Sequence, residues 1–244
     1  APLKADLATY YNQEFTKQYQ KLNQGAAVDT TRLLDGLSDE GIALQYHYIA
    51  SNPYELGKKD ELEAALDNSG YSFTHESYHA NIRDFQQKFG YYDIFLADID
   101  TGMIVYSVFK ELDYATSLKD GPYADSVLGQ AFKGAAAADE PDYVEMVDFA
   151  PYLPSYNAPT SFIASPIFDN SGTKTGVLIF QIPSARINQV MTNHARWKDI
   201  GLGDSGEAYI VGDDFMMRSQ NRLLIEDKAS FLAAATSVGT AQQQ

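Results

Sequence analysis

The chain has 244 residues, 45% of them hydrophobic and 13% aromatic, which is enough to bury a core in one or two domains and too much for disorder. A formal net charge of −15 disfavours a polyanionic partner, so no nucleic acid is expected. The absence of cysteine excludes disulfides and thiolate metal sites. No apolar run approaches the ~18 residues that span a bilayer, so any membrane anchor is expected outside this sequence.

From the N-terminus, Leu3, Leu7, Tyr11, Phe15, Tyr19, Leu22 and Ala26 recur at spacings of three and four, one face of an α-helix. The stripe resumes at Leu33, Leu37, Leu44 and Tyr48. It ends at Asn52-Pro53, because the residue before proline is pushed out of helical geometry. Unbroken, about 45 residues would span roughly 70 Å, although Gly25 and Gly36 leave room for a break into two helices. KKDELEAALDNSG reads as a shorter helix closed by Gly70. THESYHANIRDFQQKFG reads as another, with Thr74 as its N-cap and Gly90 as its stop.

Two strand pairs follow, YYDIFLADIDTGMIVYSVFKE turning at Asp100-Thr101-Gly102 and TSFIASPIFDNSGTKTGVLIFQIP turning at Asp169 to Gly172. Asp or Asn before Gly between alternating apolar runs predicts hairpins, since Gly accepts the positive φ of such turns. Together they suggest a small antiparallel sheet with a pocket on one face. Ser184 to Lys198 reads as a helix entered through Pro183. EAYIV and Phe215 to Arg218 read as a further hairpin, and Leu223 to Gln244 as a helical or frayed tail.

Two motifs imitate known chemistry. His75-Glu76-Ser77-Tyr78-His79 is a literal H-E-x-x-H, in which two histidines on one helical face bind zinc and the glutamate is the general base. Here His75 falls in the expected first turn and the only other histidines are distant, so a zinc hydrolase stands as the competing reading; the alternative is one histidine packed on the sheet. Gly201 to Gly206 is a literal G-x-G-x-x-G. Its order is helix then strand, the reverse of the dinucleotide fingerprint, and Asp204 puts negative charge where phosphate would sit. No G-x-S-x-G elbow accompanies the serines. Asp98/Asp100 and Asp213/Asp214 sit at turns, where Asp is favoured for local hydrogen bonding.

The insert between the hairpins holds the candidate ligand-binding residues: Lys110, Asp113, Tyr114 and Thr116 after the first, and Asp148, Tyr152, Ser155 and Tyr156 before the second. Aromatic rings exclude water while an amine, carboxylates and hydroxyls fix orientation, the mixture a small-molecule pocket needs. Tyr152-Leu153-Pro154-Ser155 reads as a loop held extended by prolines. No catalytic residue, metal or cofactor is expected.

The long helix, then LQYHYIASNP, RDFQQKFGYYDIFLADIDTGMIVYSVFKELDYATSLKDGPYADS, DFAPYLPSYNAPTSFIASPIFDNSGTKTGVLIF and GLGDSGEAYIVGDDFMMRS together resemble double Cache (tandem PAS-like) sensor regions. These are extracytoplasmic input portions of bacterial methyl-accepting chemotaxis receptors, sensor histidine kinases and membrane cyclases. The resemblance covers nearly the whole chain, in order and in wording. It implies an α+β fold: a stalk helix over 1–51, a membrane-distal PAS-like module over 52–183, a connecting helix over 184–200, and the start of a membrane-proximal module over 201–244. It also implies a small-molecule ligand in the distal module, transmembrane segments outside this sequence, and a homodimer through the stalk. A purely structural dimerisation module is the remaining alternative. The resemblance departs at two places. The second module shows only its first hairpin before Gln244. The R-x-W-Y pattern of the amino-acid-sensing subclass is replaced by LDYATSLKDGPY, so amino-acid specificity does not carry over.

Overall fold

The computed structural model describes residues 2–237, which divide after Ile182 into two compact units. Among the described residues no helix is long and apolar enough to cross a membrane.

The first unit opens with a helical rod made of α1 (Pro2–Tyr10), a π-helical stretch Tyr11–Phe15 and α2 (Thr16–Leu22). It buries Leu7, Tyr11, Phe15 and Tyr19, the expected stripe. The rod stops where Gln24 and Gly25 take positive φ, and α3 (Thr30–Asp35) restarts from an Asp29 cap. A second break at Gly36 precedes α4 (Asp39–Gln45) and the π-helical stretch Tyr46–Ala50. Residues 2–51 therefore take the broken form that Gly25 and Gly36 allowed rather than the continuous helix.

The short helix expected from KKDELEAALDNSG is reduced to a single 3₁₀ turn, Lys59–Glu61. Lys59 explains this: its ammonium is drawn into the fold by the carbonyls of Asn52 (2.9 Å) and Tyr54 (2.5 Å). Leu66 is fully exposed, so no apolar face rewards a helix there. The next helix, α5 (Gly70–Phe89), begins four residues before the expected cap. Ser69 Oγ accepts the Ser72 N–H at 3.0 Å, and Thr74 instead donates its hydroxyl to the Gly70 carbonyl inside the first turns. Its end is as expected: Gly90 adopts φ 74° and closes it.

Five antiparallel strands follow in spatial order β2-β1-β5-β4-β3: β1 (Asp93–Asp98), β2 (Ile104–Ser107), β3 (Glu145–Tyr152), β4 (Ala158–Phe168) and β5 (Lys174–Pro183). Both expected turns form. Asp98 accepts the N–H groups of Asp100 and Thr101, and Asp169 those of Ser171 and Thr173. The insert supplies α6 (Val127–Ala137) and one more strand than expected, since MVDFAPY pairs as β3 with β4. Of the Tyr152–Ser155 loop expected to be extended, Leu153 to Ser155 instead belong to the tight turn 153–157 joining these strands, with Tyr156 and Asn157 both at positive φ.

The sheet divides the unit. Phe95, Ala97, Val177 and Ile179 face the main core with the N-terminal rod and α6, while Ile94, Leu96, Leu178 and Phe180 face α5. This alternation follows from the two-residue side-chain period of strands.

The second unit contains α7 (Ser184–Met191), a 3₁₀ turn Trp197–Ile200, α8 (Arg222–Glu226) and α9 (Lys228–Ser237). The helix expected to reach Lys198 ends at Met191, because Asn193, His194 and Ala195 all take positive φ. The expected hairpin is limited to one bridge, Val211 with Met217. The Arg222 guanidinium stacks 4.7 Å from the Trp197 ring and donates to the carbonyls of Gly203 and Gly206. The glycine loop thus turns carbonyls toward a cation, the opposite polarity to a phosphate cradle. Residues 238–244, part of the expected tail, lie outside the described residues.

Candidate ligand-binding site

The site is built outward from Asp93, the one charged residue at the start of β1. Its buried carboxylate accepts the N–H groups of Ile94 (2.6 Å), Val108 (2.8 Å) and Phe109 (3.0 Å) and the Ser107 hydroxyl (2.8 Å). These bonds fold the chain back as it leaves β2. Lys110 is thereby held at φ 60°, its ammonium donating to the Ser107 carbonyl and lying 4.6 Å from the Tyr106 ring and 5.1 Å from that of Tyr114. Burial pushes the Asp93 carboxyl up and the Lys110 ammonium down, and the attraction between them opposes both shifts.

The fold-back presents Glu111 at the floor of a cleft of about 300 Å³, walled by Tyr10, Phe15, Tyr92, Phe109, Pro154 and Tyr156. Glu111 accepts the hydroxyls of Tyr92 (2.8 Å) and Ser155 (3.3 Å), and Ser155 in turn accepts from Gln181 Nε2 (2.9 Å). Behind it Asp113, wholly buried, accepts the Tyr152 hydroxyl at 2.5 Å. Two carboxylates this deep cannot both ionise freely. Burial, then the neighbouring Asp113 charge, raises Glu111 well above the usual carboxylate range; burial, then Asp93, lifts Asp113 to about 7.

This cluster is incompletely satisfied. Among the described residues four buried side-chain polar atoms have no partner in the protein, and three are here: Asp113 Oδ1, Tyr123 OH and Gln181 Oε1. Gln181 Oε1 is a pure acceptor, and Asp113 Oδ1 is one once its carboxyl ionises. Backbone strain concentrates here as well, with Lys110, Ala115, Tyr156 and Asn157 all non-glycine residues at positive φ.

The expected site residues divide accordingly. Lys110 and Tyr156 line the cleft, Ser155 bonds its floor, and Asp113 and Tyr152 form the bonded pair behind. Tyr114 instead reaches the Tyr71 hydroxyl at 2.7 Å, and Thr116 bonds the Asp113 carbonyl at 2.6 Å. Asp148 is exposed on β3, and it does not line the cleft. Glu111, Tyr92, Gln181 and Asp93 were not among the expected residues. Asp93 carries a legible signal, a charge at the start of an apolar strand, while Glu111 shows only as the neighbour of Lys110.

The H-E-x-x-H histidines are buried side by side on α5, their rings stacked 4.3 Å apart. The helix starts earlier than expected, so neither lies at its exposed first turn. His79 is held between the Tyr106 hydroxyl (2.8 Å) and the Asp60 carbonyl (2.7 Å), and His75 Nδ1 by the Glu63 carbonyl (2.6 Å). Three of the four ring nitrogens are spent on the protein itself, and no group of three or more potential metal ligands exists among the described residues.

No protein-family profile matches the sequence, and no curated protein is significantly similar to it. Solved structures do match, and they are ligand-binding sensor domains of chemoreceptors and histidine kinases. One is the ligand-binding domain of the Pseudomonas aeruginosa amino acid chemoreceptor PctC in complex with GABA, at 14% identity and TM-score 0.39, covering 66% of this chain and 60% of that one. Another is the sensor domain of the V. cholerae histidine kinase DctB, at 19% identity and TM-score 0.35, covering 70% and 60%. A third is the ligand-binding domain of Mlp24 with asparagine, at 11% identity and TM-score 0.40, covering 95% and 80%. The chain thus spans about 60% of the length of the first two. The N-terminal helices and the five-stranded antiparallel sheet with its flanking helices form an α+β fold.

Proposed function

We propose that this chain is the extracytoplasmic ligand-sensing portion of a membrane-anchored signalling receptor, and that its first unit binds a small amine in the cleft over Glu111. The observation that carries the reading is the half-buried Glu111 at the floor of the cleft with the buried Asp113, its Oδ1 unpartnered, directly behind it. An ammonium group in the cleft pairs with the Glu111 carboxylate and adds positive charge beside Asp113 behind it, while the surrounding rings of Tyr10, Tyr92 and Tyr156 exclude water; Lys59 and Lys110 also line the cleft, so the amine must bind on the Glu111 side.

A route from ligand to output starts at Tyr156. Its ring stacks on Phe15 at 5.2 Å and its carbonyl accepts from Asn23 Nδ2 at 2.9 Å, while Asn157 donates to the Tyr19 hydroxyl at 2.7 Å. The 153–157 turn is therefore tied to the end of the N-terminal rod at Phe15, Tyr19 and Asn23. A ligand that prefers one arrangement of this turn biases the position of the helix, with coupling typically about 1–3 kcal/mol.

Calorimetric titration with a panel of primary amines, diamines, amino acids and organic acids tests this. An amine is expected to bind, and Asp113→Asn to weaken it at least tenfold, since asparagine keeps the Tyr152 contact and loses the charge. Asp113 holds its proton below about 7 and must release it to pair with an ammonium. Affinity is therefore expected to rise by up to about tenfold per unit from pH 5 toward 7 and then level off, with proton release on binding. Preference for organic acids, or an amine indifferent to Asp113→Asn and Glu111→Gln, would sink the assignment.

A further inference from the structure

The fourth unpartnered buried atom, His75 Nε2, lies away from the amine cleft, and it marks a different surface. A groove of about 630 Å³ runs between α5 and the edge strand β2, bounded by Tyr71, Tyr78, Ile82, Leu96, Val105 and Tyr106, with His75 also lining it. Leu96 and Ile82 belong to the small core on the α5 face, so the groove and the cleft over Glu111 are separate places. No charged side chain lines the groove.

We propose that this groove is a second small-molecule site, taking a neutral, largely apolar molecule that carries one hydrogen-bond donor. The tautomer of His75 fixes the donor requirement. Its Nδ1 lies 2.6 Å from the Glu63 carbonyl, which can only accept, so Nδ1 carries the proton and Nε2 presents a bare lone pair. His75 is only 3% exposed. Burial, then the charge of Lys110, lowers its pKa to about 3, so at neutral pH it cannot donate to an anion. Of the hydroxyls along the groove, three already donate within the protein, and that of Tyr78 belongs to an exposed side chain. Tyr106 donates to His79, Tyr71 donates to the Val105 carbonyl, and Thr74 donates to Gly70. An ammonium or carboxylate would be desolvated with no counter-charge in the lining, whereas an N–H or O–H on an aromatic or aliphatic body meets both the apolar walls and the unpartnered Nε2 acceptor.

Indole and 1-methylindole form a matched pair, alike in shape but with the donor blocked in the second. Titration calorimetry at pH 7 should show saturable one-to-one binding of indole, with 1-methylindole about five- to tenfold weaker. Val105→Trp, on the exposed rim of β2, should fill the groove and abolish binding without disturbing the core. His75→Phe, which keeps the aromatic packing, should reduce indole to the affinity of 1-methylindole. Glu111→Gln should leave indole binding unchanged, which separates this site from the amine cleft. Equal affinity for the two probes, binding retained by Val105→Trp, or no saturable binding at the solubility limit of indole would overturn the proposal. So would self-association abolished by Val105→Trp without indole binding, since the groove would then cover a second copy of this chain.

Discussion

Two buried polar clusters lie close together in the first unit and are built on opposite principles. Around Asp93 and Gln45 the side-chain groups are closed. Asp93 accepts four donors, and Gln45 accepts the Tyr11 hydroxyl (2.7 Å) while donating to the carbonyls of Leu112 (3.1 Å) and Tyr114 (2.6 Å). Around Asp113 the network is left open, with free acceptors, two carboxyls that resist ionisation and strained backbone on either side. A satisfied buried network holds a fold in one arrangement; an unsatisfied one is destabilising unless something else completes it. The closed cluster is the brace, and it fixes the 107–116 segment so that the open cluster keeps its geometry.

Substitutions should separate the two. Asp93→Ala removes the acceptor of four donors and leaves the buried Lys110 ammonium without its counter-charge, so a loss of about 3–5 kcal/mol is expected in urea denaturation. Gln45→Leu orphans the Tyr11 hydroxyl and two carbonyls and should cost about 3 kcal/mol, and Gln45→Glu should not restore it, since a carboxylate offers no donor to either carbonyl and is itself desolvated there. Tyr123→Phe, in the open cluster, deletes a hydroxyl that has no partner in the protein. Its stability should stay within about 0.5 kcal/mol of the parent or rise, because no bond is lost and a desolvated group is removed. A large loss for Tyr123→Phe would mean that the open cluster is as structural as the closed one, and the contrast between them would fail.

The open cluster also carries a pH signature opposite to that of the α5 histidines. Asp113 is raised in the folded protein, so its contribution to stability is present below its ordinary carboxylate range and is lost as pH rises toward about 7. His75 and His79 are lowered to about 3 and 4 by burial first and Lys110 second. Their contribution is complete above the ordinary histidine range and is lost as pH falls through it toward those values.

Much of this was legible in the sequence. The 3.6-residue stripe from Leu3 to Leu22, the Gly90 stop and the Asp-initiated turns at Asp98 and Asp169 are local signals, decided by residues within a few positions of one another. The reading failed where a distant partner intervened. Lys59 was drawn off its helix by the carbonyls of Asn52 and Tyr54, MVDFAPY became a strand because β4 offered an edge, and the helix after Pro183 stopped at three residues with positive φ. The same divide runs through the site. The insert was recognisable by its tyrosines and charges, yet Asp148, on the exposed side of β3, could not be told from Asp113 by composition.

The sequence by itself determined the alternation that gives the sheet two apolar faces, the turns that close its hairpins and the amphipathic helix that covers it, because periodicity and turn chemistry are short-range. Only the tertiary structure decided which carboxylates are buried, which hydrogen bonds they keep and which they lack. Desolvation depends on everything packed around a group: it raises the Glu111 and Asp113 carboxyls, and it leaves His75 Nε2 buried without a partner beside an apolar groove.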